Sequence, residues 1–275
     1  MSKLYVVGTP IGNLGDFSPR AVETLSEVDF IAAEDTRVTL KLLNHFGIKK
    51  NMVSYHKFNQ RDSGEQIAAR ILAGETCALV TDAGMPAISD PGEDLVRLCH
   101  ENGIKVESVP GPCAFTTALA LSGMPSGRFT FEGFLSVNKP SRREHLESLK
   151  TETRTMLFYE APHKLGATLK DMNKAFGNRE IAIVREITKI HEEVIRTTLD
   201  EAAALYGEGG LKGEIVLVIH GAEPAETNEE MTLEEAVETA RQSVENGMSV
   251  SEAAKQTAKL TGFKKGDIYK LLIGE

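Results

Sequence analysis

Cysteine is scarce in this chain. Cys77, Cys99 and Cys113 stand far apart, with no CxxC pair and no Cys/His ligand spacing. The spacing argues against a disulfide framework and a structural zinc site, no other metal cluster is expected, and Cys77 and Cys99 read as small buried hydrophobes. Long apolar runs are missing too: none approaches the roughly 18 residues of a membrane span. No signal-peptide pattern precedes the first apolar run, MSKLYVVGTP. The expectation is a cytoplasmic protein without membrane contact. Positive charge is not in surplus. A net charge of −9 argues against a general nucleic-acid coat, although phosphate contact needs only a local basic face. Two short stretches offer one: Lys139, Arg142, Arg143 and His145, and then Lys264 and Lys265. Each is either an RNA contact or a solvated face. Phosphate cradles are also absent. GTPIGN (8–13) carries Pro10 and Ile11 where GxGxxG would not, and no GK[ST] follows it. GEGG (207–210) precedes an apolar run and reads as a surface turn.

What is present is a chain of 275 residues with 41% hydrophobic and 26% charged residues. That is the balance of a globular protein with a real core. At about 100–200 residues per domain it is too long for one small domain. The first half alternates short apolar runs with helical periodicity. LYVV, DFIAA, NMVSY, TCALVT and KVESVP read as strands. Ser18-Pro19 and Asp35 read as helix starts, and Gln66–Ala73 reads as helical. This alternation predicts a mostly parallel α/β sheet. A Gly/Pro-rich stretch near residues 123–128 predicts a linker. A second, more mixed sheet follows, from FTFEGFL, TMLFYE, EIAIVRE, EEVIRTTL and GEIVLVIHG. Then comes an acidic linker, AEPAETNEE, and a helical tail. The expected division is 1–122, 123–224 and 225–275. The tail from Val250 to Leu272 holds five lysines against Glu252 and Asp267. Its pattern resembles a helix-turn-helix; it is either a helical cap or an RNA-contacting element.

Three loops follow strands of the first half: GTPIGN, DAGMPAISDPG (82–92) and PGPCA (110–114). In open α/β sheets ligands bind at the C-terminal ends of strands, and three Gly/Pro loops there predict a ligand site. Apolar, backbone-rich loops suit a purine with a short amphipathic arm and no phosphate. S-adenosylmethionine fits that description, as do other adenosine ligands.

LYVVGTPIGNLGD, AEDTR (33–37), TDAGMPAISDPG, VPGPCA, FYEAPHK (158–164) and GEIVLVI, in that order, resemble the ribosomal RNA small subunit methyltransferase I family of the tetrapyrrole-methylase superfamily. The resemblance spans about residues 4–221. It implies an α/β fold with two α/β domains, the cofactor in the cleft between them, a small C-terminal helical region, and a homodimer. It also implies S-adenosylmethionine-dependent 2′-O-methylation of a cytidine in small-subunit (16S) ribosomal RNA near the decoding centre. Carried over residue by residue, Pro10 lines the cleft. Ala83, Gly84 and Met85 hold the methionine part, with Ile88 beside them. Cys113 and Ala114 stand near the cofactor, where superfamily members usually have Thr or Ser and then Ala. Glu160 faces the adenosine and Ile187 approaches the adenine. The tetrapyrrole branch usually has GxGPGD in the first loop; GTPIGN and AEDTR depart from it toward RNA.

Catalysis has four carboxylate candidates, Glu34, Asp35, Asp82 and Glu160. Asp35 could instead cap a helix, and Asp82 could instead fix its loop. Glu34 and Glu160 could instead pair with Arg37 or Lys164. Glu34, Arg37, His56, Arg142, Arg143, Lys264 and Lys265 are the candidate RNA contacts, with Arg37 foremost as a phosphate contact. The competing readings are a methyltransferase for a tetrapyrrole or other small molecule, and a non-catalytic RNA-binding assembly protein.

Overall fold

The computed structural model describes residues 2–223 and 232–274. Most of AEPAETNEE lies outside them. The chain forms two compact units, Met1–Ala222 and Glu223–Glu275. Among the described residues no helix is long and apolar enough to cross a membrane.

The first unit opens with β1 (Lys3–Val7), α1 (Pro19–Glu27), β2 (Phe30–Ala33), α2 (Thr36–His45), β3 (Asn51–Ser54), α3 (Gln60–Leu72), β4 (Cys77–Val80), α4 (Glu93–Glu101), β5 (Lys105–Val109) and α5 (Ala114–Ser122). The five strands are all parallel, in the order β3-β2-β4-β1-β5. β2 and β4 are apolar and buried at every position because both faces are covered. Leu4, Phe30, Ala32, Cys77 and Leu79 face α3 and α4. Val7, Ile31, Ala33, Ala78 and Val80 face α1 and α2. Ser18 caps α1 through Ala21 N–H ahead of Pro19, and Asp35 caps α2 through Arg37 N–H. α3 begins six residues before the expected start, at Gln60. Its first turns, QRDSGE, carry no apolar period, so the sequence pattern marks only the packed second half.

The second sheet comprises β6 (Phe129–Phe134), β7 (Thr155–Glu160), β8 (Glu180–Arg185), β9 (Glu193–Thr198) and β10 (Ile215–Ile219). Its order is β6-β7-β10-β8-β9. β6 and β7 run parallel; the other pairs are antiparallel. The linking helices α6 (Lys139–Ser148), α7 (Leu165–Phe176) and α8 (Leu199–Tyr206) cover one face, over Met156, Phe158, Ile183 and Leu217. The other face is covered by α5. Its Ala118 and Leu119 pack with Leu157, Ala182, Val184, Val216 and Val218, and Ile11 of the β1 loop joins them. α5 thus leaves the first sheet in chain order and packs on the second. β6 contains a bulge between Phe131 and Gly133, where Gly133 takes φ = 64°.

The second unit holds α9 (Leu233–Glu245), α10 (Val250–Thr261) and α11 (Lys265–Ile273). α9 starts at a capping box formed by Thr232 and Glu235. Gly262, left-handed at φ = 79°, turns the chain from α10 toward α11. Val237, Ala240, Ala253, Ala254 and Ile268 form its core.

Candidate active site

The strand order makes neighbours of the loops that follow β4, β1 and β5. Backbone bonds then join them. Thr9 N–H donates to Gly84 O at 2.9 Å, Gly84 N–H donates to Thr9 O at 3.2 Å, and Gly8 N–H donates to Val109 O at 3.0 Å. The Thr9 hydroxyl donates to Thr81 O at 3.1 Å. Gly8 and Gly111 touch through backbone alone: a Cβ on Gly8 would lie 2.7 Å from Gly111 Cα and 2.7 Å from Met85 Sδ. The glycines are there because two main chains must approach this closely.

These loops form one wall of a cavity of about 380 Å³. Ile11, Ala83, Gly84, Met85, Ile88, Ser89, Asp90, Cys113 and Ala114 line it from the first sheet's side. Phe134, Tyr159, Glu160, Ala161, Pro162, Ile187 and Glu214–Val216 line it from the second. Of the nine residues expected around a cofactor, eight line this one cavity. Pro10 does not; its neighbour Ile11 takes that place.

The charged residues of the wall are Asp90, Glu160 and Glu214, all acidic. Glu160 is buried, and its carboxylate accepts from Ala161 N–H at 2.8 Å and from the Thr168 hydroxyl at 2.5 Å. The expected pairing with Lys164 does not form. Beside Glu160, Tyr159 accepts from Phe115 N–H at 3.3 Å, and burial pushes its hydroxyl up to about 12.

A second acidic group lies where β2 and β4 end side by side. Glu34 accepts from the Thr81 hydroxyl at 2.5 Å and from Asp82 N–H at 3.4 Å. It does not pair with Arg37. Arg37 instead forks onto Asp35, with contacts of 3.0 and 2.6 Å. The Arg37 hydrogen bonds hold the Asp35 carboxyl well below its usual range. Capping and pairing together make Asp35 a poor proton acceptor. Asp82 and Asp90 move the other way: burial first, then the charge of Glu34, raises both carboxyls. In the sequence alone Asp90 is indistinguishable from an ordinary residue of a DPG turn.

A carboxyl raised by folding binds its proton more tightly in the folded chain than in the unfolded one. Stability is then lost as pH climbs from about 4, the unfolded range, through the raised folded value. Asp90→Asn removes that loss. The melting temperature of the variant is expected to exceed that of the parent at pH 7, and the two are expected to converge near pH 4. A gap that does not change with pH would contradict the assignment.

The remaining candidates are dispersed. His56 follows β3, with its ring Nδ1 accepting from Phe58 N–H at 3.3 Å and its backbone N–H donating to Asn59 Oδ1 at 2.8 Å. Arg142, expected on a solvated basic face, is buried instead. Its Nε and Nη2 reach Asp171 Oδ2 at 2.8 and 2.6 Å. It is a core ion pair and is not open to phosphate. Arg143, one position along the helix, is exposed. Lys264 and Lys265 lie at the start of α11, both exposed, with Lys265 Nζ 3.0 Å from Ser251 Oγ. Phe134, on the cavity wall, was not a sequence candidate.

Residues 3–203 match the family model of tetrapyrrole (corrin/porphyrin) methylases. The ribosomal RNA small subunit methyltransferase I of Synechocystis sp. is 46% identical, covering 98% of this chain and 97% of the relative. The protein of that name from Bacillus subtilis is 43% identical, covering 98% and 93%. Its namesake from Thermotoga maritima is 48% identical, and its whole length corresponds to 81% of this chain. Among solved structures, a cobalt-precorrin-4 methyltransferase superposes with a TM-score of 0.59 at 17% identity, over 80% of this chain and 95% of that one. A uroporphyrin-III C-methyltransferase from Thermus thermophilus, complexed with S-adenosylhomocysteine, gives 0.55 at 18%, over 79% and 97%. At those identities the likeness is one of fold.

Proposed function

Because the chain belongs to the tetrapyrrole (corrin/porphyrin) methylase family and, within it, to the ribosomal RNA small subunit methyltransferase I family, we propose that it methylates small-subunit (16S) ribosomal RNA. The donor is S-adenosylmethionine and the acceptor a ribose 2′-hydroxyl of a cytidine near the decoding centre. The observation that carries the reading is the charge of the cavity wall. Glu214 is paired with Lys189 Nζ at 3.0 Å, but Asp90 and Glu160 face the cavity without a lysine or arginine partner, and such carboxylates attract a cationic ligand with ribose hydroxyls and repel one with phosphates. S-adenosylmethionine is such a cation, and when bound it supplies an electrophilic methyl group.

Ala83, Gly84 and Met85 offer backbone to its methionine part. Ile11, Cys113, Ala114 and Ile187 supply apolar wall. Glu160 spends one lone pair of each oxygen inside the protein and keeps others for ribose hydroxyls. The chain's main task is to hold the acceptor hydroxyl in line. Positioning of that kind accounts for about 7–11 kcal/mol of a barrier. A general base would add roughly 10²–10⁴-fold. With Asp35 committed to Arg37, Asp82 and Asp90 are the carboxylates suited to it. Arg37, Arg143, His56, Lys264 and Lys265 are proposed RNA contacts, with Glu34 bordering them. The proposal includes a homodimer working in the cytoplasm, where the substrate is assembled.

Transfer of labelled methyl groups tests this directly. The substrates are small ribosomal subunits lacking their modifications, naked small-subunit RNA and a tetrapyrrole precursor. Label at a nuclease-resistant ribose linkage is the expected result. Label in the tetrapyrrole alone would keep the fold and discard the substrate.

A further inference from the structure

Phe134 is a large aromatic residue on the wall of the cavity, yet 60% of its surface is exposed. It stands on the last residue of an edge strand, and the β6 bulge decides where it points. In unbroken register with Phe131 opposite Leu157, Phe134 would sit opposite Glu160. With the extra residue it sits opposite Tyr159. Because side chains alternate across a strand, that one-residue slip moves Phe134 from the face covered by α6 and α7 to the face of Phe131, Leu157 and Tyr159. Gly133 at φ = 64° makes the slip possible. The ring then rests tilted on Tyr159 with centroids 5.3 Å apart. It ends an aromatic series that runs inward through Phe131 to Phe115.

The mouth has a second lip. Ile88 is 52% exposed on the β4–α4 loop and lines the same cavity. Its neighbour Ala87 holds φ = 64°, a left-handed conformation that costs a non-glycine residue energy. Ala87 also sits against Gly92, where a Cβ would lie 2.8 Å from Ala87 Cβ. Backbone irregularities on both sides thus end in an apolar side chain held at the opening.

We propose that Phe134 is the stacking platform for the base of the target nucleotide, with Ile88 on the opposite lip. The inference rests on the function proposed above. A cavity of about 380 Å³ is filled by one ligand of cofactor size, so the acceptor must approach from the mouth. The base hangs from C1′, which is bonded directly to the C2′ that bears the reacting oxygen. A ribose hydroxyl brought to the cavity therefore carries its base to the lip. Single-stranded nucleotides are recognised by splaying the base onto an aromatic face, and the face offered here is Phe134.

The test uses the full-length protein with Phe134→Ala, Phe134→Leu and Phe134→Tyr. Small subunits are assembled with a fluorescent pyrimidine analogue at the nucleotide that the wild-type protein labels. Alanine and leucine are expected to raise KM for the subunit about tenfold to a hundredfold. The change in kcat should be smaller, cofactor affinity should stay within about twofold, and tyrosine should restore KM. Emission of the analogue should be quenched by the wild type and by the tyrosine variant and not by alanine. Unchanged KM and quenching in Phe134→Ala would overturn the proposal. So would a loss of cofactor affinity, which would make Phe134 a wall of the cofactor site. A wild-type protein that labels no RNA would overturn the parent reading first, and this one with it.

Discussion

Arg142→Ala is expected to destabilise the first unit by about 3–5 kcal/mol, the cost of stranding one partner of a buried ion pair. Both side chains are nearly enclosed, Arg142 at 10% and Asp171 at 16% exposure. The guanidinium meets one carboxylate oxygen through two nitrogens. Removing it leaves the Asp171 carboxylate buried on α7 beneath α6. For a unit of this size each kcal/mol lowers the melting temperature by roughly 2–4 °C, so a fall of roughly 6–20 °C should be seen by calorimetry. The double replacement Arg142→Met with Asp171→Leu should recover most of it, since an apolar pair of similar volume is often neutral or better. An RNA-contacting arginine gives the opposite pattern, with stability unchanged and RNA affinity lost. That pattern would return Arg142 to the RNA surface.

The second large effect is expected at a glycine. A Cβ on Gly111 would lie 2.9 Å from Gly8 Cα and 3.0 Å from Gly8 O. Both contacts are to main chain, which has no rotamer to yield. Gly111→Ala must therefore separate the β1 and β5 loops, and overpacking of this kind costs about 1–3 kcal/mol. The larger consequence is geometric. The loops carry Ile11 on one side of the contact and Cys113 and Ala114 on the other, all on the cavity wall. A displacement near 1 Å can reduce turnover on the order of 100-fold. Methyl transfer and S-adenosylhomocysteine binding should both fall while the far-ultraviolet circular dichroism stays that of the parent. Retained activity would mean that the loops are free to part.

Much of the fold is legible in the chain because its central strands are covered on both faces. LYVV, FIAA, CALV and IVLVI can be little else when they alternate with helical patterns and glycine turns. The three site loops are legible for a related reason: Gly and Pro cluster where the main chain must turn sharply and approach itself. The set of wall residues is legible only through the family resemblance, and only local geometry separates Ile11 from Pro10. Other parts were hidden because their meaning depends on distant partners. Arg142 reads as surface until Asp171, on another helix, is brought beside it. Asp90 reads as a turn residue until the cavity forms over it. Phe134 reads as one more apolar position of a strand. The bulge that turns it outward depends on a single glycine, and no pattern in FTFEGF distinguishes that glycine from a weak strand residue.

α5 bears on how binding competence is acquired. Its first residue, Ala114, belongs to the cavity wall, and its buried side lies on the second sheet. The helix therefore works as a tether, fastening the last loop of one half to the body of the other. A nascent chain that had completed the first sheet would hold that loop at one end only. Severing the chain between residues 122 and 123 would leave α5 attached to a fragment with nothing for it to cover. The cavity is then a property that neither half can express alone. A protein able to hold its ligand has, by that fact, finished folding its first 222 residues.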